Sequence, residues 1–174
     1  YIHEQEEHLK EQEDKIEHLL PSLLLKQKMA GKGQVSEIFE GVRGVKTFFE
    51  LMLREFTPKG VYYNLGHPRW SSELFNAYFV DFHRRRMEIG TTMKIIYNYD
   101  AWYWKQREKR TNTFVRVLPK DLMTPTYINV YNDIVGTIFP GEEPVCFMIR
   151  NKAVADSYRE YFALLWKQAG KVKI

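Results

Sequence analysis

The sequence predicts an α/β protein, a mixed β-sheet with flanking helices, preceded by an N-terminal coiled-coil helix. Three observations predict it. Residues 1–29 carry a heptad of apolar positions, whereas beyond residue 33 short apolar runs of strand length alternate with stripes of helical period. The strand-like runs are first separated by helices and later follow one another through a tight Asn132-Asp133 turn. Alternation of strand and helix gives a parallel portion, and a hairpin adds antiparallel strands.

In the first segment Ile2, Leu9, Ile16 and Leu23 recur every seven residues, with Leu19 at a second seam position. Gln5 and Gln12 occupy the earlier positions of that second seam, and Pro21 predicts a kink. An apolar stripe on an otherwise acidic helix needs a partner. Ile2, Leu9, Ile16, Leu19 and Leu23 are therefore the expected dimerisation residues of a homodimer. Residues 1–29 are the expected dimerisation helix, 30–33 (Ala-Gly-Lys-Gly) a linker, and 34–174 the globular domain.

The globular part reads in order. A strand is expected over 34–39, then a helix to about residue 56 with Val45, Phe48, Phe49, Met52 and Leu53 as its buried stripe. A second strand covers 60–65. Ser71-Ser72-Glu73 is expected to cap a long helix over 72–89 that ends at Gly90 and buries Leu74, Phe75, Tyr78, Phe79, Phe82 and Met87. A nearly all-apolar strand at 93–97 suits the sheet centre. A helix over 101–110, a strand at 113–118, a hairpin of 127–131 with 135–139, a strand at 145–150 and a closing helix from Asn151 complete the pattern.

Composition narrows the function classes. The 174 residues are 44% hydrophobic and 28% charged, the make-up of a globular domain rather than a disordered one. The net charge of +4 is uneven: residues 1–20 hold seven acids and two bases, and the basic excess lies in the rest. The single cysteine, Cys146, sits in the apolar run Val145-Cys146-Phe147-Met148-Ile149, which predicts an inert buried thiol and a reducing, cytoplasmic setting. No run approaches the ~18 apolar residues of a membrane span, so no membrane partner is expected. The chain begins with Tyr1 rather than Met, the expectation for a piece of a longer protein.

Most chemistries lack their residues. His3, His8 and His18 are spaced five and ten apart, wrong for ligands on one helix face, and no metal is expected. Neither a phosphate-binding glycine loop nor a G-x-S-x-G turn occurs, and no cofactor is expected. Arg84-Arg85-Arg86 and Lys105-x-Arg107-x-Lys109-Arg110 read as solvated helix faces.

The strand-end loops are the candidates for binding. Open α/β sheets bind ligands outside the carboxyl ends of their strands. After the second strand come Gly66, His67, Arg69 and Trp70, and after the third Tyr97, Asn98, Asp100 and Trp102. Polar groups among aromatic rings suit a small polar effector, a sugar or an anion. The same rings read equally well as mere cover for the sheet.

Several strings, in order, resemble the C-terminal part of TrmB-like archaeal transcriptional regulators. They are Glu40-Gly41-Val42-Arg43-Gly44-Val45-Lys46, Phe82-His83-Arg84-Arg85-Arg86-Met87-Glu88-Ile89-Gly90, Tyr131-Asn132-Asp133, and the stretch from Ala153-Val154-Ala155-Asp156-Ser157-Tyr158 to Leu164-Leu165-Trp166. The resemblance implies a coiled coil followed by a phospholipase-D-like effector domain. It also implies that DNA is contacted only through an N-terminal winged-helix domain outside this chain. The phospholipase D superfamily carries an H-x-K-x-x-x-x-D motif on the strand entering the hairpin. Aligning its Asp with Asp133 puts Thr126 and Ile128 at the His and Lys positions, and sliding by one puts Tyr127 and Asn129 there. Neither register supplies nucleophile or cation, so the chain is expected not to be an enzyme. Tyr127, Asn129 and Tyr131 share one strand face, which adds Tyr127 and Asn129 to the expected binding residues. The alternatives are a residual phosphodiesterase or nuclease using His67 or His83, and a structural adaptor without a ligand.

Light scattering of the full chain and of a shortened chain starting at Gln34 tests the coiled-coil reading. The full chain is expected to be a dimer and the shortened one a monomer, and a monomer in both cases removes the dimerisation role.

Overall fold

The computed structural model describes residues 35–101 and 111–171. The chain divides after Val35 into two units, and the description is of the second. The dimerisation residues Ile2, Leu9, Ile16, Leu19 and Leu23, the linker, Trp102 and the expected helix over 101–110 lie outside the described residues beyond Ala101.

The elements are β1 (Val35–Glu40), α1 (Gly41–Glu55), β2 (Val61–His67), α2 (Arg69–Leu74), α3 (Asn76–Ile89), β3 (Thr92–Tyr97), β4 (Thr113–Val117), β5 (Tyr127–Tyr131), β6 (Ile134–Phe139), β7 (Val145–Arg150), α4 (Lys152–Gln168) and β8 (Gly170–Lys171). They build one eight-stranded sheet in the order β1-β7-β6-β5-β2-β3-β4-β8. Strands β2, β3 and β4 are parallel. Strands β5, β6 and β7 form an antiparallel meander that joins the parallel part where β5 pairs with β2. The α/β class with a mixed sheet and flanking helices is thus the observed architecture.

Helices α1 and α3 cover one face of the sheet, and α4 covers the other. The strand period of two decides which residues meet them. On β5, Tyr127, Asn129 and Tyr131 turn to the α1/α3 side and are wholly buried. Val130 turns the other way, to a cluster with Val135 and Ala155 of α4. Farther along α4, Phe162 packs with Ile96, Leu118 and Ala169. The α1 stripe is buried as its spacing predicts. Its Phe48 and Phe49, with Phe56, Phe79 and Phe82, make edge-to-face contacts at centroid distances of 5.1–5.8 Å. Such pairs contribute roughly 0.5–1.5 kcal/mol each beyond area burial. The opposing β6 must make room for α1. A Cβ on Gly136 would lie 2.1 Å from Cζ of Phe48.

The expected helix over 72–89 differs from the sequence reading. The single long helix over 72–89 is two helices, α2 and α3, broken at Phe75 with φ −106° and ψ 15°. Ser71 is not a cap but a wholly buried residue within α2, which starts directly after Pro68. Phe75, Phe79 and Phe82 are buried as their spacing predicts, but Leu74 is exposed, and α3 also buries His83 and Arg86. Arg86 is therefore no solvated residue. It follows Phe82 by one turn, on the core side, and its guanidinium donates to the carbonyl oxygens of Thr91 (2.5 Å), Asn112 (3.1 Å) and Thr111 (3.4 Å) and to Oγ1 of Thr113 (2.7 Å). It thereby fixes the entry to β4 against the end of α3. Arg84 pairs with Asp81 and Glu88, and Arg85 with Glu50, at the surface. The hairpin turns at Asn132, φ +48°, as its Asn-Asp sequence predicts. Cys146 is buried, and burial pushes its thiol pKa up. Among the described residues no helix is long and apolar enough to cross a membrane.

Gly136→Ala is expected to cost about 1–3 kcal/mol in urea denaturation, because the added methyl overlaps the Phe48 ring. Arg86→Met is expected to cost about 3 kcal/mol, since it leaves three carbonyls short of a donor.

Candidate functional site

The carboxyl ends of β2 and β3 gather the buried polar residues. A register shift between Leu65 and His67 interrupts the β2–β3 ladder. Gly66 occupies it at φ +78°, and Oγ1 of Thr124 donates to its carbonyl at 3.0 Å. A side chain at this position would be strained by φ and would meet that hydroxyl at 2.3 Å. The bulge has a geometric consequence. By simple alternation His67 would share the face of Leu65, toward α4. The extra residue turns it to the other face, opposite Tyr97.

There His67 sits among rings, with centroids 4.6 Å from Tyr127 and 5.7 Å from Tyr97 and Phe79. Below it, Tyr62 and Asn64 of β2 face Asn129 of β5. The Tyr62 hydroxyl donates to Oδ1 of Asn129 at 2.5 Å, and Nδ2 of Asn64 donates to the same oxygen at 2.7 Å. Oδ1 of Asn64 and Nδ2 of Asn129 are buried without a hydrogen-bond partner. From the helices, Ser71 of α2 lies beside Tyr127, and His83 of α3 packs on Phe82 at 5.3 Å. Complete burial pushes the Tyr127 hydroxyl pKa far up, and the Ser71 hydroxyl partly offsets this.

The enclosed space is small. Tyr62, Asn64, His67, Phe79, His83, Met93, Ile95 and Tyr97 line a cavity of about 10 Å³. That is about one water molecule. The loop after β4 closes over the strand ends. Asn98 donates through Nδ2 to the Thr124 carbonyl at 2.8 Å and accepts from the Thr124 hydroxyl at 3.2 Å. Among the described residues no group of three His, Cys, Asp or Glu side chains could hold a metal ion.

Of the sequence-derived candidates, His67, Tyr97, Tyr127 and Asn129 come together. Gly66 and Asn98 stand beside them as the clamp on Thr124. Arg69 and Trp70 lie on the outer side of α2, where Arg69 pairs with Glu73 at 2.9 Å and Trp70 is 42% exposed. Asp100 accepts from the Ala101 amide at 2.9 Å. The sequence reading missed Tyr62, Asn64 and Ser71 and did not place His83 here. Asn64 left a signal, because asparagine is depleted in strands and this one shares strand parity with Tyr62.

No protein-family model matches the sequence, and no curated protein matches it. Solved structures do match. The structure is similar to TrmBL2, an archaeal chromatin protein (TM-score 0.57, 15% identity, 99% of this chain and 68% of that one). It is also similar to NucT from Helicobacter pylori (0.58, 11%, 80% and 99%) and to Nuc from Salmonella typhimurium, a phospholipase D family member (0.57, 12%, 81% and 99%). The fold is phospholipase D-like. At these identities the likeness carries the architecture alone. It also corrects the expectation that the chain is not an enzyme. The same architecture is found in Nuc, a phospholipase D family member, so the fold gives no ground for that expectation.

Asn129→Leu removes the buried acceptor shared by Tyr62 and Asn64. It is expected to cost about 2–4 kcal/mol in chemical denaturation. Arg69→Ala, at the surface, is expected to stay within about 0.5 kcal/mol of the parent chain.

Proposed function

We propose that the chain is the effector-sensing and dimerisation region of a TrmB-like regulator. The observation that carries this reading is extent. The likeness to TrmBL2 spans 99% of this chain, whereas those to NucT and Nuc span 80% and 81%. A chromatin protein as neighbour fits a chain that works at DNA through a separate domain.

In this reading the strand-end cluster is the sensing site. Its buried hydrogen-bonding groups, Asn64, Asn129, Tyr62 and Tyr127, suit a small polar ligand such as a sugar or an anion. The closed cavity admits no such ligand as it stands, since ligand pockets run to roughly 300 Å³ or more. Binding then requires that α2 lift Ser71 from Tyr127 and that the Thr124 loop release Asn98. Effector affinity that differs between closed and open states is what would couple the site to a paired scaffold.

A second reading is a phosphodiesterase acting through His67 or His83. The shared fold with a phospholipase D family member and the two histidines at the strand ends favour it.

One pair of assays separates them. Thermal shift with a panel of mono- and disaccharides and inorganic phosphate is expected to reveal a ligand that raises Tm and loses its effect in Tyr127→Phe. Hydrolysis of bis-p-nitrophenyl phosphate that disappears in His67→Ala or His83→Ala, with no stabilising ligand in the panel, would replace the regulator by the enzyme.

A further inference from the structure

The outward face of α1 has a chemistry that the strand-end site does not use. Val42, Arg43, Lys46, Thr47, Glu50, Leu51 and Arg54 line a groove of about 650 Å³. Arg43, Lys46 or Thr47, Glu50 and Arg54 follow one another by three or four residues, so they form one stripe along the helix. From Arg43 to Arg54 the stripe is about 16 Å long, at 1.5 Å per residue.

Its charge is less mixed than its composition. Glu50, the single acid of the stripe, is already engaged. Arg85 of α3 binds both its oxygens, and the Tyr78 hydroxyl donates to it at 3.0 Å. The Arg85 hydrogen bond holds its carboxyl below the usual range. Glu55, the other acid of α1, is bound by Arg150. Lys46 lies over the Tyr78 ring, 5.6 Å from its centroid. Arg43 and Arg54 meet no acid among the described residues. Among the described residues the stripe therefore offers three cations without an acidic partner, with the apolar Val42 and Leu51 between and beside them.

We propose that this face of α1 docks an acidic amphipathic helix of a protein partner. Apolar side chains of the partner cover Val42 and Leu51, and carboxylates placed at its flanks meet Arg43, Lys46 and Arg54. A nucleic acid fits less well. A phosphate backbone could meet Arg43, Lys46 and Arg54 but would leave Val42 and Leu51 without an apolar contact. A helix chooses where its acids stand, and apolar contact with Leu51 adds affinity that a phosphate backbone does not supply.

The test is fluorescence anisotropy of the full chain with a designed labelled peptide, about 20 residues long, carrying a leucine stripe flanked by glutamates. Saturable binding is expected. It should weaken about tenfold or more in the double variant Arg43→Glu/Arg54→Glu, the equivalent of about 1.4 kcal/mol. A peptide with lysines in place of the glutamates should recover affinity for that variant and bind the parent chain poorly. Both substituted residues are at the surface, and circular dichroism checks that the fold is kept. Absence of saturable binding, or equal affinity for the acidic and basic peptides, overturns the proposal. A single-stranded oligonucleotide that binds more tightly than the acidic peptide and is lost in the same variant overturns it in favour of nucleic acid.

Discussion

The two halves of the sheet are joined by one polar bridge. Asn129 of β5 stands opposite Asn64 of β2 at the seam where parallel strands give way to antiparallel ones. Its side-chain oxygen accepts from both Tyr62 and Asn64, with no exposure to water. In an apolar layer an unpaired amide costs a few kcal/mol, so the bridge also selects the register. A slip by one residue would turn Asn129 to the α4 side and take the shared acceptor away from Tyr62 and Asn64. The rings of Tyr127 and Tyr131, above and below it on the same strand, then fall against His67 and Phe56.

The bulge at Gly66 has a comparable role at the end of β2. It rotates His67 out of the face shared by Leu65 and into the layer of Tyr97, Phe79 and Tyr127. With the Asn98–Thr124 clamp it closes over the carboxyl ends of β2 and β3. A closed site of one-water size and a buried set of hydrogen-bonding groups are compatible with sensing, which needs two states of different affinity. The same packing would place two histidines near any phosphodiester that gained entry.

Helix α1 shows how one element serves two purposes. Its inner stripe of Val45, Phe48, Phe49, Met52 and Leu53 supplies the helix-side core and is matched by the missing side chain of Gly136. Its outer stripe is polar and cationic, and its acids are tied to Arg85 and Arg150. The ion pairs at 28–35% side-chain exposure contribute little to stability on their own. Their larger effect is to remove negative charge from the outer face and leave its cations unopposed among the described residues.

Periodicity alone determined much of this protein. The α1 stripe, the Asn132-Asp133 hairpin, the helix end at Gly90 and the α/β class follow from spacing and from the conformations that glycine and asparagine allow. The shared face of Tyr127, Asn129 and Tyr131 follows from the strand period. Other features were not local and could not be read along the chain. The break at Phe75 leaves no mark in the spacing, because Ser71, Phe75 and Phe79 follow one another by four residues as they would in one unbroken helix. Arg86 looks like its neighbours Arg84 and Arg85, and only the carbonyls of a loop some 25 residues later make it a core residue. His67 sits on its face because of a bulge, and the Nδ2 of Asn64 finds its acceptor on a residue 65 positions away. A sequence displays the period of each element. Which polar groups are buried together depends on contacts distant in the chain, and those are decided only when the sheet closes.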